Sequence, residues 1–324
     1  MEKGPYAEQH FQSEEVKIFY DQLLTIEHDE ELAVPEGVIT EEMRLIGAEM
    51  LVDIHARYGN PATRSFKQYH NAQHALDVLK RAWNQLRLFK EEFPDKFTDH
   101  DYRLLFFAAL GHDSIHGTGG AIGVDEEQSA QWTVAHMRRL GFDEADCGRV
   151  REAIIATTVE THEEDGAIVQ TYIRDGSDDP LKFIMAYADI NGMLMGGIPV
   201  FANDSLNLHL ELQRKTASDI KTDKSSLQAF FGTQLKFVDT RLQELDKDYA
   251  FYFKNDADKV KKLYYDTFTR ASRDAYSVVK TINNRPYIME LVVEDLIRVI
   301  DETDGDEQEK LAAAKHQLVY RFSS

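Results

Sequence analysis

The stretch LLFFAALGHD, Leu104 to Asp113, is apolar nearly all round until its last two residues. A helix without a polar face must be covered on every side, so this segment predicts a central buried helix inside a core of other elements. Those elements also read as helices. Apolar residues recur at helical rather than alternating spacing, and only 7 prolines interrupt 324 residues. TEEMRLIGAEMLVDIHARYG opens on Thr40 as an N-cap and stops at Gly59-Asn60-Pro61. HNAQHALDVLKRAWNQLRLFKEE is the next expected helix, ended by Pro94. EEQSAQWTVAHMRRLG, CGRVREAIIATTVETHEE and LKFIMAYADINGML follow, with DGSDDP as a loop. Four more helical segments run from about Leu227 to the end, while 196–225, rich in Gly, Asn, Asp and Ser, gives no clear pattern. No segment carries a convincing strand pattern, so the expected class is all-α.

Charge and cysteine content narrow the chemistry. A formal net charge of −20 opposes a bulk nucleic-acid or anionic-membrane partner through long-range repulsion. It leaves room for a small phosphorylated ligand, because a metal ion can reverse the local field. Cys147 is the single cysteine, which rules out an intrachain disulfide and a thiolate metal cluster. The opening MEKGPYAEQHFQSEEVK lacks the apolar core of a signal peptide, and no apolar run approaches a membrane span. The expectation is a cytoplasmic protein with a small-molecule partner.

Three places carry candidate chemistry. In YHNAQHALDV, His70 and His74 stand four apart, a spacing that on a helix puts both on one face; alone, such a pair is more often a surface or capping feature than a metal site. His112-Asp113 ends the apolar helix just where it would emerge into a cavity. Asp189 sits in the apolar run FIMAYADINGM. A buried carboxylate without a partner is very costly, so both acids require a cation, either a metal ion or an arginine or lysine. Two imidazoles and two carboxylates, His74, His112, Asp113 and Asp189, form a mixed set that suits zinc, manganese or iron and, less well, magnesium.

The order H…HD…D resembles the HD superfamily of metal-dependent phosphohydrolases. More narrowly, YHNAQHALDV is similar to the YHNxxHAxDV signature of class I cyclic nucleotide phosphodiesterase catalytic domains, and HDSIH to their HDxxH. ATTVETH at 156–162, the ADI around Asp189 and TQLKFV at 233–238 resemble later segments of those enzymes. The resemblance implies a multi-helix HD-domain, phosphodiesterase-like bundle: one catalytic domain over 1–324, with N-terminal helices in 1–68, the metal-site core in 69–240 and C-terminal helices in 241–324. It implies one or two divalent metals held by His74, His112, Asp113 and Asp189, with Asp113 bridging, and a metal-bound hydroxide as nucleophile. His70 would be the general acid for the leaving alkoxide. His116 with Glu126 or Glu127 would orient the bound water, and His162 would orient water or bind phosphate. Tyr69, Asn191, Gln234 and Phe237 would meet the substrate, the last two by pairing with and stacking on a purine; core packing is the structural alternative for Phe237.

The chain also departs from that pattern. Gly117-Thr118 follows His116 in place of proline-glycine, the segment IHGTGGAIGVDEEQSA is shorter and richer in glycine, and Asn191 lies two residues after Asp189 instead of three. These departures concern the substrate pocket more than the metal ligands. The leading expectation is therefore a 3′,5′-cyclic nucleotide phosphodiesterase. An HD-type 5′-nucleotidase, a di-iron HD-type oxygenase and a non-catalytic nucleotide sensor are its rivals. The glycines at 117–123 could cradle phosphate through backbone amides or form a plain loop. His10, His28, His55, His100, His136, His209 and His316 lack matching partners and are expected to be solvated.

Overall fold

A computed structural model describes residues 13–63, 65–161, 168–189, 192–222, 224–269, 277, 280–281 and 284–323. The fold is all-α, as expected, with one small two-stranded sheet. The described residues of 1–158 and 170–189 form one compact unit, and those of 159–169 and 190–324 another.

In the first unit, α1 (Glu14–Glu27) packs on α2 (Glu41–Tyr58), which Thr40 caps by accepting from Met43 N at 3.2 Å. α3 (Ala72–Glu92) lies against both α4 (Asp99–Gly111) and α7 (Pro180–Asp189). The predicted central helix is real: every residue from Leu104 to Gly111 in α4 is buried. Trp83 of α3 donates its indole N–H to the Tyr102 carbonyl at 3.1 Å and stacks on Phe106. Phe89 meets Phe183 at the start of α7, and Gln85 donates to the Ile184 carbonyl at 3.3 Å. At the same C-terminal end of α3, Lys90 pairs with Asp99 at the start of α4. α3 is thus antiparallel to both neighbours, so its N-terminus arrives where α4 and α7 end. α5 (Val124–Arg139) and α6 (Glu144–Ile155) close the unit, with Arg149 of α6 clamped between Asp101 and Asp179.

The second unit holds β1 (Val159–Thr161), most of β2 (Ile168–Gln170), α8 (Gly192–Gln213), α9 (Lys224–Phe253), α10 (Ala257–Tyr264), α11 (Pro286–Glu302) and α12 (Glu307–Ser323). Phe201, Leu210, Phe231, Leu296, Leu318 and Phe322 are among the side chains filling its apolar core. Arg241 and Asp248, seven apart on α9, form a fully buried ion pair at 2.9 Å.

Four expectations need correcting. α3 begins at Ala72 with Asn71 as its N-cap, so His70 is not on the helix and helical spacing does not explain its closeness to His74. The helix expected through 147–164 stops at Ile155 and gives way to β1; the β-branched run Thr157-Thr158-Val159 favours extended backbone. The unassigned 196–225 region is largely helix, kinked at Gly197 ahead of Pro199. His209 is only 1% exposed, not solvated, and packs near Phe230.

Gly111, the last residue of α4, lies against Thr133 of α5. A Cβ there would sit 1.9 Å from Thr133 Oγ1. Gly148, in α6, has open space around the same position. The two alanine substitutions should therefore have opposite signs. Gly111→Ala is expected to lower stability by about 1–3 kcal/mol through overpacking, and Gly148→Ala to raise it by about 0.5–1 kcal/mol through helix propensity. Urea unfolding midpoints read both; equal shifts would show that α5 does not bear on Gly111.

Candidate functional site

Three helix ends supply the four predicted donors. Asn71 caps α3 by accepting from Gln73 N at 2.9 Å and His74 N at 3.3 Å, which fixes His74 in the first turn. His112 is the C-cap of α4, with Asp113 next in the chain, and Asp189 is the last residue of α7. Because α3 runs antiparallel to α4 and α7, these positions meet at one end of the first unit.

Their donor atoms converge. His112 Nε2 lies 3.0 Å from Asp113 Oδ2 and 3.4 Å from Asp189 Oδ1. His74 Nε2 lies 3.1 Å from Asp189 Oδ1 and 3.5 Å from Asp113 Oδ2. The two Nε2 atoms are 3.3 Å apart, and all four donors fall within 4.8 Å of one another. Donors that share one small cation at about 2.0–2.2 Å lie about 2.8–3.6 Å apart when they occupy neighbouring coordination positions. The five measured separations fall in that interval.

Tautomer and charge point the same way. His112 Nδ1 is 2.9 Å from the Ala109 carbonyl, which can only accept, so Nδ1 carries the proton and Nε2 turns its lone pair inwards in the neutral ring. Among the described residues, Asp113 and Asp189 pair only with histidines, never with lysine or arginine. Both carboxylates also stand at helix C-termini, the negative ends of the helix dipoles. Burial opposes charge on every one of these groups, yet the attraction between them prevails. It pushes the His112 imidazole well above its ordinary value and holds Asp113 and Asp189 well below the usual carboxylate range. The cluster therefore needs positive charge, and its side chains could hold a metal ion.

A second group of residues surrounds the four. The His70 ring stacks on His116 with centroids 3.9 Å apart and lies 5.8 Å from the His74 ring. Tyr69 packs between His70 and His74, at 4.8 and 4.4 Å. His116 Nδ1 reaches to 4.0 Å of Asp113 Oδ1. Of the two expected glutamates, Glu127 turns outwards to Arg151 at 2.6 Å and Gln131 at 2.9 Å. Glu126 faces the negative cluster: burial, then the charges of Asp113, Asp125 and Asp189, raise its carboxyl above the ordinary value. The Gly117 and Thr118 amides donate to Asp125, and the Thr118 hydroxyl bonds it too, so an internal carboxylate takes the amides that a phosphate cradle would use. Gln234 and Phe237 lie buried on α9 in the second unit, where Phe237 belongs to the apolar core. His162 and Asn191 fall outside the described residues.

Sequence reasoning missed the residues that hold the HDSIH turn. Arg57 Nη1 donates to the Ser114 carbonyl at 2.9 Å, and His116 N donates to Tyr58 Oη at 3.0 Å. Ser129 of α5 clasps Ile115, accepting from its N at 3.0 Å and donating to its carbonyl at 3.1 Å. No spacing pattern reveals such contacts; the only hint was a run of polar residues at the end of a strongly capped helix. Cys147 is buried and its thiol pushed up by burial, which leaves it unsuited to nucleophilic work. No helix among the described residues is long and apolar enough to cross a membrane. No family model matches the chain, and no curated protein or solved structure matches it.

Proposed function

We propose that this chain is a divalent-metal-dependent phosphohydrolase that cleaves a phosphate ester of a nucleotide, with a 3′,5′-cyclic nucleotide as substrate. The observation that carries the reading is a four-donor nitrogen and oxygen group with a further imidazole, His70, close to it but outside it. The motif resemblance of YHNAQHALDV and HDSIH supplies the substrate class.

His74, His112, Asp113 and Asp189 would hold the ion, and zinc, manganese or iron suits that set better than magnesium. A bound divalent cation neutralises charge on phosphoryl oxygens and draws the pKa of a held water towards neutrality. The chain's own groups do the rest. His70 would donate a ring proton to the leaving oxygen, and the Asp113 carboxylate attracts the imidazolium that this needs. His116, stacked face to face on His70, keeps that ring from turning. Glu126, with its raised carboxyl, fits a proton acceptor at a carboxylate oxygen beside the attacking water.

The direct test is a hydrolysis panel of 3′,5′-cyclic nucleotides, nucleoside monophosphates and model diesters, run with several added metals. Turnover of cyclic nucleotides and its loss on chelation are expected. Preference for monophosphates would move the assignment to a nucleotidase. Tight nucleotide binding with no turnover at all would make the chain a sensor and sink the enzyme.

Two variants probe the roles separately. Asp113→Ala should lose the ion and turnover together, read by elemental analysis and rate; wild-type metal content would remove Asp113 from the ligand set. His70→Ala should keep the ion yet slow alkoxide release by roughly 100-fold or more, with a smaller loss on a nitrophenyl ester whose leaving group needs no proton. An equal loss on both esters would count against proton donation.

A further inference from the structure

The stack of His70 on His116 joins two segments that are far apart in sequence, and one residue holds both. Tyr58, the last residue of α2, is 7% exposed. Its hydroxyl accepts the His116 backbone N–H at 3.0 Å and donates to the Ser114 carbonyl at 3.4 Å. Burial raises the phenol above its ordinary value, so it carries the proton it donates at neutral pH. Its backbone carbonyl accepts from Lys67 N at 2.9 Å, anchoring the segment that leads into Tyr69 and His70. Asn71 gathers that segment from the other side, donating through Nδ2 to the carbonyls of Gln68 at 3.0 Å and Lys67 at 3.2 Å. The two segments also meet directly: the Lys67 ammonium lies over Gly117, 3.1 Å from where a Cβ would stand, and that residue's φ of +75° suits glycine.

We propose that Tyr58 is the positioning residue for the His70–His116 pair, its hydroxyl registering His116 against the loop that its carbonyl holds. None of the four convergent donors bonds to Tyr58, so the ion's site and the proton donor's placement are set by different contacts. The inference rests on the proposed role of His70 for its effect on rate, though not for its effect on geometry.

Tyr58→Phe keeps the ring and the carbonyl and removes only the hydroxyl. In protein labelled at histidine, the ring-to-ring NOE between His70 and His116 should be present in the wild type and lost or strongly weakened in the variant. Metal content should stay unchanged. kcat should fall by about 10-fold for an alkoxide leaving group, as expected of a misplaced catalytic group, and less for a nitrophenyl ester, while KM stays as it was. Arg57→Met is the control, since Arg57 bonds the same Ser114 carbonyl but not His116; it should leave the NOE intact. An undiminished NOE in Tyr58→Phe, loss of the ion, or an equal effect of Arg57→Met would overturn the proposal. A wild type that hydrolyses no ester would instead defeat the proposed function, and the NOE would still decide where Tyr58 places the rings.

Discussion

Among the described residues, two carboxylates stand at the negative ends of two helices with no lysine or arginine paired to them, and that imbalance falls at one end of the first unit. Asp113 follows α4 and Asp189 ends α7. Either would be costly in its place without positive charge. Histidines alone answer them among the described residues, and a neutral imidazole offers a lone pair rather than a charge. A group arranged to be short of positive charge is arranged to receive it.

The packing explains why the shortage falls at one point. α3 is pinned to α4 through Trp83 and Tyr102 and to α7 through Gln85, Phe89 and Phe183, so three helix ends are brought into register by side chains well inside the core. The donors sit on or next to these rigid ends, where a change in core packing is felt as a change in donor spacing. Gly111 shows how little slack there is, since α5 occupies the space a methyl group would need one residue before His112. His70 and His116, by contrast, lie on non-helical segments tied by hydrogen bonds from α2. Rigid placement of the four donors and a separate, lighter tether for the His70–His116 pair are thereby combined in one unit.

Much of this was legible before any coordinates. The all-round apolar stretch at 104–111 had to be central, the two acids in apolar surroundings had to find a cation, and the Thr40 and Pro94 boundaries were written in capping and breaking residues. What escaped was set by tertiary contact. The i,i+4 spacing of His70 and His74 suggested one helical face, but Asn71 is a stronger N-cap than a helix interior residue, and it puts His70 in the loop. Glu126 and Glu127 are equivalent in sequence; Arg151, 24 residues on, draws one away and leaves the other facing the cluster. The glycine run is compatible in sequence with either an anion cradle or a plain loop, and it is Asp125, eight residues beyond Gly117, that takes its amide. A strand at 159–161 was hidden in what reads as the tail of a helix.

A proton on His112 is what a metal ion would have to displace. Burial opposes charge on the His112 imidazole, but Asp113 and Asp189 push it above its ordinary value, so without a cation the cluster favours a proton there. A single proton would leave one negative charge uncompensated, whereas a divalent ion would balance both and take a lone pair from each of the two Nε2 atoms, which stand 3.3 Å apart. The exchange would release the proton and so couple ion binding to acidity in a definite direction: acid would favour the protonated cluster and neutral conditions the filled one. A cluster kept only for stability would have been better served by apolar residues of similar volume.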